Sequence, residues 1–224
     1  MSIPAATQGM TKTLISLGIM DMKKDPPRLI CHCKTWRNPN NGILVTIAPV
    51  PNIASPSYWQ RVLCGNHTRY DKIMCEDGRG PVVEGTAQAN RSALMQRLFP
   101  WYAPVPVVPA DQLNKYEFNP ARDPAESSMA YHSSMHNLQP PVDPRARRGI
   151  ERIDSLPPNT RVVYPWNLYH MPYLQHSMIK QNYELVQTED ILVMTQAEIV
   201  RLVLTTAIVL GAVGVILFRI LFGF

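Results

Sequence analysis

The residues RLVLTTAIVLGAVGVILFRILFGF, at positions 201–224, form the longest apolar run of the chain. From Ile199 to Phe218 the only polar side chains are those of Arg201, Thr205 and Thr206, and no proline interrupts the run. Twenty helical residues cover about 30 Å, which is the thickness of the hydrocarbon core of a bilayer. The pattern therefore predicts a transmembrane helix.

The start of this helix is indicated by Thr195 and Glu198, which have the spacing of a capping box and place the first helical residue near position 196. Arg201 and Arg219 lie near the two ends, where long cationic side chains can reach the headgroup region. Because the sequence has almost nothing beyond this run, we expect a tail anchor over residues 196–224.

Three small residues of the predicted anchor share one helical face. Ala207, Gly211 and Gly214 are separated by four and three residues. Small residues allow another helix to approach closely within a membrane. They are candidate helix-packing residues, although glycine and alanine are also common in transmembrane helices in general.

The middle of the chain is poor in the aliphatic residues that usually build a core. The 106 residues from 85 to 190 contain only 20 Leu, Ile, Val or Phe residues, just below the level of about 20% at which a chain struggles to bury enough apolar surface. Proline is abundant, with 21 residues in 224, and proline removes backbone donors and favours extended paths. We therefore expect this region to take its order from neighbouring molecules.

These features predict a mostly irregular, extended chain with a small unit containing a β-hairpin near the N-terminus and one C-terminal transmembrane α-helix. Five segments are expected: an N-terminal segment (1–27), a small cysteine-containing β-rich unit (28–84), a proline-rich extended arm (85–172), a pre-membrane helical segment (173–195) and the tail anchor (196–224).

The hairpin is expected within residues 28–50. The stretch RLICHCKTWR, the turn NPNNG and the stretch ILVTIAPV read as strand, turn and strand, with Gly42 supplying a positive φ. The next stretch, YWQRVLC, fits either a third strand or a short helix.

All four cysteines lie in this unit, at Cys31, Cys33, Cys64 and Cys75. They are candidates for two disulfides in an oxidising compartment, or for a zinc site formed by the four thiolates or by three of them with His67 in place of one. The spacing does not match the C-x₂₋₄-C pattern that structural zinc sites usually use. Four unlinked thiols in a small core are the third interpretation.

Basic residues cluster at Arg145, Arg147, Arg148 and Arg152. They are candidates for binding lipid headgroups, so a bound phospholipid is expected there if they are not simply solvated or facing an acidic partner. The net charge of +5 is too diffuse to indicate nucleic-acid binding. Membrane lipids are the expected partners of this patch.

The chain lacks the glycine-rich phosphate loops, the nucleophile elbow and the zinc-protease motif that often mark enzymes. Four histidines, at positions 132, 136, 170 and 176, have no carboxylate at ligand spacing in the sequence. We therefore expect no catalytic residues and no cofactor, with zinc as the alternative.

Together these observations predict a non-catalytic, single-span accessory subunit of a large energy-converting complex, such as a respiratory complex or the ATP synthase. We expect it in the mitochondrial inner membrane, strapping neighbouring subunits together. The alternative is a membrane-anchored metal or redox module built on the four cysteines. A third interpretation, a secretory glycoprotein, rests on the sequons at Asn66 and Asn90.

Overall fold

A computed structural model of the protein describes residues 14–76, 80–118 and 124–222. The first thirteen residues of the expected N-terminal segment and the last two of the expected anchor lie outside the described residues. The strands are β1 (Met20–Lys24), β2 (Pro27–Arg37), β3 (Leu44–Val50), β4 (Lys72–Cys75), β5 (Val82–Val83), β6 (Val107–Val108), β7 (Tyr116–Phe118), β8 (Arg161–Asn167) and β9 (Glu184–Thr195). The α-helices are α1 (Pro56–Val62), α2 (Asn66–Arg69), α3 (Ala87–Leu98), α4 (Pro124–Met135), α5 (Pro144–Glu151), α6 (Met171–Lys180) and α7 (Gln196–Phe222), and 3-10 helices cover Ala110–Lys115, Ile153–Ser155 and Leu168–His170.

The predicted hairpin is present. Strands β2 and β3 pair antiparallel, with Trp36 opposite Val45, and Gly42 in the turn has φ +73°. A side chain at Gly42 would also collide with the Asn159 side chain. Both the positive φ and the lack of space therefore favour glycine at this position. The ambiguous stretch that follows forms helix α1, which Ser55 caps by accepting a hydrogen bond from the Tyr58 N–H.

Seven strands form one mixed sheet. Strand β9 pairs along nearly the whole of β2, while β1 and β3 pair with successive stretches of its other edge. Strands β3, β8, β4 and β7 follow in that order and are all parallel. Because β9 and β3 are both antiparallel to β2, β9 runs in the same direction as the four parallel strands.

The prediction of a mostly irregular, extended chain is wrong. One hydrophobic core cluster extends from Leu14 to Met194 and draws on both the expected β-rich unit and the expected arm. The aliphatic count underestimated the core because much of it is aromatic, methionine or alanine. Between positions 85 and 190 the core residues of this kind are Tyr116, Ala146, Tyr164, Trp166, Met171, Met178 and Tyr183.

The prolines also have a different role from the one expected. Pro56, Pro124, Pro144 and Pro172 stand at the first turns of four helices, where the missing N–H costs no hydrogen bond. Three of them, Pro124, Pro144 and Pro172, lie in the expected arm, so the proline density of that region does not by itself indicate a continuous extended arm.

The expected pre-membrane helix over 173–195 is present only as far as Lys180. Helix α6 ends at Lys180, and the residues that follow form β9 at the edge of the sheet. Absence of proline permits either structure, and Val186, Thr188, Ile191, Val193 and Thr195 favour a strand because their β-branched side chains fit a pleated surface.

The C-terminal helix begins where the capping box predicted. Thr195 N–H donates to Glu198 Oε2 (2.8 Å), and Glu198 N–H donates to Thr195 Oγ1 (3.2 Å). Residues Gln196–Ile216 are long and apolar enough to cross a membrane, and 0% of that window is buried against the rest of the protein. This exposure opposes a soluble core helix and supports association of the chain with a membrane.

Candidate functional site

The parallel strands end together in a group of polar residues, of which Glu76 and Asn167 are buried and Asn52 is exposed. Asn52 follows β3, Glu76 follows β4, and Asn167 is the last residue of β8. The Asn167 N–H donates to Glu76 Oε2 (2.9 Å), and the Asn167 side-chain amide donates to Asn52 Oδ1 (2.9 Å). Ligands of open α/β sheets bind outside the carboxyl ends of the strands, so this end of the sheet is the candidate site.

A histidine joins this group to helix α5. His170 is fully buried, and its Nδ1 lies 2.6 Å from Asp143 Oδ2 while its Nε2 lies 3.4 Å from Glu76 Oε1. Asp143 also caps α5, because its Oδ1 accepts a hydrogen bond from the Ala146 N–H (2.9 Å). Arg145, on the first turn of the same helix, lies 3.6 Å from Glu76 Oε1.

The charges of this group balance when His170 is protonated, because two carboxylates then face one guanidinium and one imidazolium. Burial alone would lower the pKa of His170, but the hydrogen bonds and charges of Asp143 and Glu76 outweigh it and raise that pKa. A protonated His170 supplies a positive charge that helps to compensate the two buried carboxylates of Asp143 and Glu76.

The geometry argues against His170 as a general base. Both ring nitrogens face carboxylates, and the side chain has no exposed surface. A general base must come within hydrogen-bond reach of the proton that it removes. We therefore assign His170 and Asp143 to positioning Glu76 at the carboxyl end of β4.

A cavity of about 500 Å³ adjoins Glu76 and Asn52. Its other walls are mostly apolar and come from strands β3, β4, β7 and β8, from the end of α1 and from the segment before β6. The lining residues with apolar or thiol side chains include Val50, Leu63, Ile73, Cys75, Pro104, Val105, Pro106 and Pro165. Pockets of this size with a few converging polar groups are typical of sites for small molecules.

Tyr116 contributes a third polar group to the cavity lining. Its hydroxyl is buried and has no hydrogen-bond partner among the residues that the structure describes. Burial, with the nearby thiols of Cys75 and Cys64, raises the pKa of Tyr116, so the hydroxyl stays neutral and can donate a hydrogen bond.

The cavity and the C-terminal helix lie at the same end of the sheet. Strand β9 runs parallel to β3 and ends at Thr195, directly before α7. The Ser55 N–H, three residues after Asn52, donates to Val193 O (2.8 Å). The mouth of the parallel strands therefore faces the side on which the apolar helix leaves the domain.

The four cysteines that were candidates for disulfides or zinc are unlinked in the structure. Cys31, Cys33 and Cys75 are buried, and Cys64 is partly buried. Burial raises the pKa of both Cys31 and Cys75 to about 12, so these thiols are neutral at physiological pH.

No group of three or more His, Cys, Asp or Glu side chains arranged to hold a metal was found among the described residues. His67, proposed as a replacement ligand, lies on α2, where its carbonyl oxygen accepts a hydrogen bond from Lys115 Nζ (2.7 Å). Zinc and disulfide roles for these residues stay predictions.

Three of the four predicted headgroup arginines lie within ion-pair distance of carboxylates on other elements. Arg145 faces Glu76, Arg148 forms a two-bond pair with Glu126, and Arg152 contacts Glu117 (3.2 Å). Arg147 is exposed and lies 3.7 Å from Glu151 on its own helix. A lipid-binding role of this cluster stays a prediction, and lipid would compete there with existing partners.

The predicted helix-packing residues lie on the exposed surface of α7. Ala207, Gly211 and Gly214 are all exposed, and nothing lies within 4 Å of a side chain placed at either glycine. The surface formed by these three residues is therefore open in this structure, and the helix-packing role predicted for them stays a prediction.

Sequence reasoning considered His170 but missed Glu76 and Asp143. A usable signal was available for both: Asp143 precedes Pro144 as a helix cap precedes a first turn, and Glu76 directly follows the strand residues Ile73, Met74 and Cys75. A carboxylate immediately after a buried parallel strand is a good candidate for a site residue.

Comparisons of this chain with protein-family models, with curated proteins and with solved structures found no match.

Proposed function

We propose that this protein is a membrane-anchored binding domain whose ligand is a small, mostly apolar molecule held at the carboxyl ends of the parallel strands. The single observation that carries the proposal is a cavity of about 500 Å³ with apolar walls and a buried carboxylate, Glu76, beside it. Its place at the end of the sheet from which α7 leaves supports a ligand that partitions into the bilayer.

The charges of the site indicate which polar group the ligand carries. Glu76 is already balanced by Arg145 and His170, so a cation in the cavity would add uncompensated charge to a buried site. Glu76 and Asn52 offer acceptor oxygens, and Tyr116 offers a neutral hydroxyl. These groups favour a neutral ligand with one hydrogen-bond donor, such as an amide.

We propose further that α7 spans the membrane as a single helix. Replacing Ile208, Val209 and Leu210 together by lysine should release the full chain from membranes into alkaline carbonate, because each lysine near the centre of a span costs about 2.5–3.5 kcal/mol. These side chains are exposed, so the change removes no contact that stabilises the folded domain.

The matched control replaces the same three residues by phenylalanine, and this variant should stay in the membrane pellet. Extraction of the parent chain under the same conditions would contradict a membrane span.

Ligand binding can be tested with 4-fluorobenzamide, a neutral and largely apolar probe with an amide donor. Fluorine NMR should show line broadening of the probe by the full chain in lipid nanodiscs, beyond that of empty nanodiscs. For a ligand of this size we expect a Kd on the order of 1 mM. Methyl 4-fluorobenzoate lacks the donor and should broaden less.

Three tryptophan substitutions locate the binding. Val105→Trp fills the cavity and should abolish the broadening, whereas Val142→Trp changes a valine of similar exposure outside the cavity and should preserve it. Ser92→Trp fills only the neighbouring groove beside α3 and should also preserve it. Equal broadening by the Val105 and Val142 variants would contradict the proposed site.

A role as accessory subunit of a mitochondrial complex stays a prediction, and one of its premises is wrong. That premise was a chain unable to form its own core, whereas residues from Leu14 to Met194 build one cluster. Native gels of membranes depleted of the protein would test the role directly, since loss of the complex would support it and an unchanged complex would count against it.

A further inference from the structure

Helix α3 presents its apolar side chains outward. Leu94, Met95 and Leu98 are 56%, 54% and 60% exposed, while the side that faces the protein carries Ala89, Ser92 and Gln96. A helix on the surface of a soluble protein normally turns its apolar face to the core. An apolar helix face that is turned outward indicates a surface that contacts a membrane or another molecule.

Aromatic residues continue the same surface beyond the helix. Phe99 and Tyr102 are 44% and 54% exposed, and their rings pack edge to face with centroids 6.1 Å apart. Between α3 and residues Tyr102–Val105 lies an open groove of about 540 Å³. We call the surface formed by Leu94, Met95, Leu98, Phe99 and Tyr102 the α3 patch.

The α3 patch is tied to the point at which α7 begins. The Ala54 N–H donates to Trp101 O (2.9 Å), and the N–H of the next residue, Ser55, donates to Val193 O (2.8 Å). Val193 lies three residues before Gln196, the first residue of α7. Two hydrogen bonds and one peptide unit therefore connect Trp101, beside the patch, to Val193, three residues before α7 begins.

The charge of this segment suits an anionic surface. Residues 85–110 contain Arg91 and Arg97 and no Asp or Glu. Both arginines are exposed, and Arg91 lies on the same helical face as Met95 and Leu98. Apolar side chains combined with arginines, Trp and Tyr are typical of segments that lie in a membrane interface.

We propose that the α3 patch inserts into the interface of the membrane that α7 spans, with Arg91 and Arg97 at anionic headgroups. This inference rests on the proposed membrane span. It adds a second contact that holds the end of the domain with the cavity mouth against the lipid surface.

Tryptophan fluorescence in vesicles tests the contact. Leu98→Trp in the full chain, reconstituted in phosphatidylcholine with a minor fraction of phosphatidylglycerol, should lose most of its added fluorescence when the lipids are brominated near the headgroup end of the acyl chain. The matched control is Leu113→Trp, an exposed leucine at the opposite end of the sheet, where Lys72 Nζ donates to Asn114 O (3.3 Å). It should keep its added fluorescence.

A third variant separates the two proposals. Ile208→Trp lies on α7 and should be quenched by bromines deep in the bilayer. Quenching of Ile208→Trp with equal, weak quenching of Leu98→Trp and Leu113→Trp would overturn the α3 contact and leave the span intact. Failure to quench Ile208→Trp would instead overturn the span.

A separate substitution tests whether the two arginines contact anionic headgroups. Replacing Arg91 and Arg97 together by glutamine should reduce the quenching of Leu98→Trp in vesicles with phosphatidylglycerol to its level in pure phosphatidylcholine. Unchanged quenching would overturn the assignment of anionic headgroups to these side chains.

Discussion

Replacing Asp143 by alanine should lower the free energy of unfolding of the detergent-solubilised chain by about 3–5 kcal/mol, because it breaks a buried ion pair from one side. The side chain of Asp143 is 1% exposed and that of its partner His170 is 0% exposed. The substitution also removes the hydrogen bond that caps α5 at the Ala146 N–H. Urea unfolding followed by tryptophan fluorescence measures the loss.

The matched control is Asp71→Ala. Asp71 pairs with Arg161 (3.1 Å), but its side chain is 47% exposed, and exposed pairs contribute about 0.2–1 kcal/mol. Similar losses for the two variants would show that the group around His170 is not the strongly buried network described here.

The Asp143→Ala and Asp71→Ala variants should also differ in how their free energy of unfolding depends on pH. The folded state raises the pKa of His170 above its ordinary value of about 6.5, so it binds this proton more tightly than the unfolded chain does. The resulting stability is fully present below about pH 6.5 and is lost as the pH rises through the folded-state pKa.

The groups responsible are Asp143 at the N-cap of α5 and Glu76 after β4, and Arg145 lies beside Glu76. Asp143→Ala should therefore reduce this decline in stability above pH 6.5, and Asp71→Ala should retain it. An equal decline in both variants would assign the pH dependence to another group.

The second large effect is expected at Trp166. Strands β8 and β4 pair only at Val162 and Val163, and beyond this point the Trp166 Nε1–H donates to Met74 O (2.5 Å). Trp166 is 1% exposed, and its ring lies against Tyr164 and His170 with centroids 5.6 and 5.3 Å away. Trp166→Ala should cost about 3–5 kcal/mol, the usual range for deleting a large buried aromatic ring.

The control is Trp166→Phe, which keeps most of the ring and loses the donor to Met74. Its expected cost is about 1–3 kcal/mol, the cost of leaving a buried polar group without its partner. Urea unfolding followed by circular dichroism measures both variants without depending on the removed fluorophore. An alanine variant as stable as the phenylalanine variant would contradict a packing role for the ring.

Trp166 also bears on the proposed binding site, because the cavity opens beside β8 at Pro165. Trp166→Ala should therefore weaken the line broadening of 4-fluorobenzamide in the fraction of protein that remains folded. Preserved binding in that variant would indicate that the cavity wall does not depend on this ring.

Local patterns predicted the elements whose stability comes from near neighbours in the chain. The β2–β3 hairpin follows from alternation and from the positive φ at Gly42, and the start of α7 follows from Thr195 and Glu198. Each depends on contacts among residues a few positions apart. The apolar character of α7 is likewise a sum over its own residues.

The same reasoning failed for the middle of the chain because composition does not show which residues become buried. Tyr164 and Met178 have no exposed surface and complete a core that an aliphatic count does not register. Pro144 was interpreted as part of an extended arm, whereas the side chain of Asp143 caps the helix that this proline begins. Asp143 before Pro144 is a local signal for a helix start, but composition alone does not show that the helix packs into a folded core.

From sequence alone one can conclude that the chain carries a helix suited to a bilayer and a hairpin near its start, since hydropathy and turn chemistry act locally. Only the folded structure reveals the candidate site, because Glu76 lies 91 residues before Asn167 and Asp143 lies 27 residues before His170. These groups meet through the parallel order of β3, β8 and β4. That order depends on how the whole core packs, a cooperative property that no short stretch of residues contains.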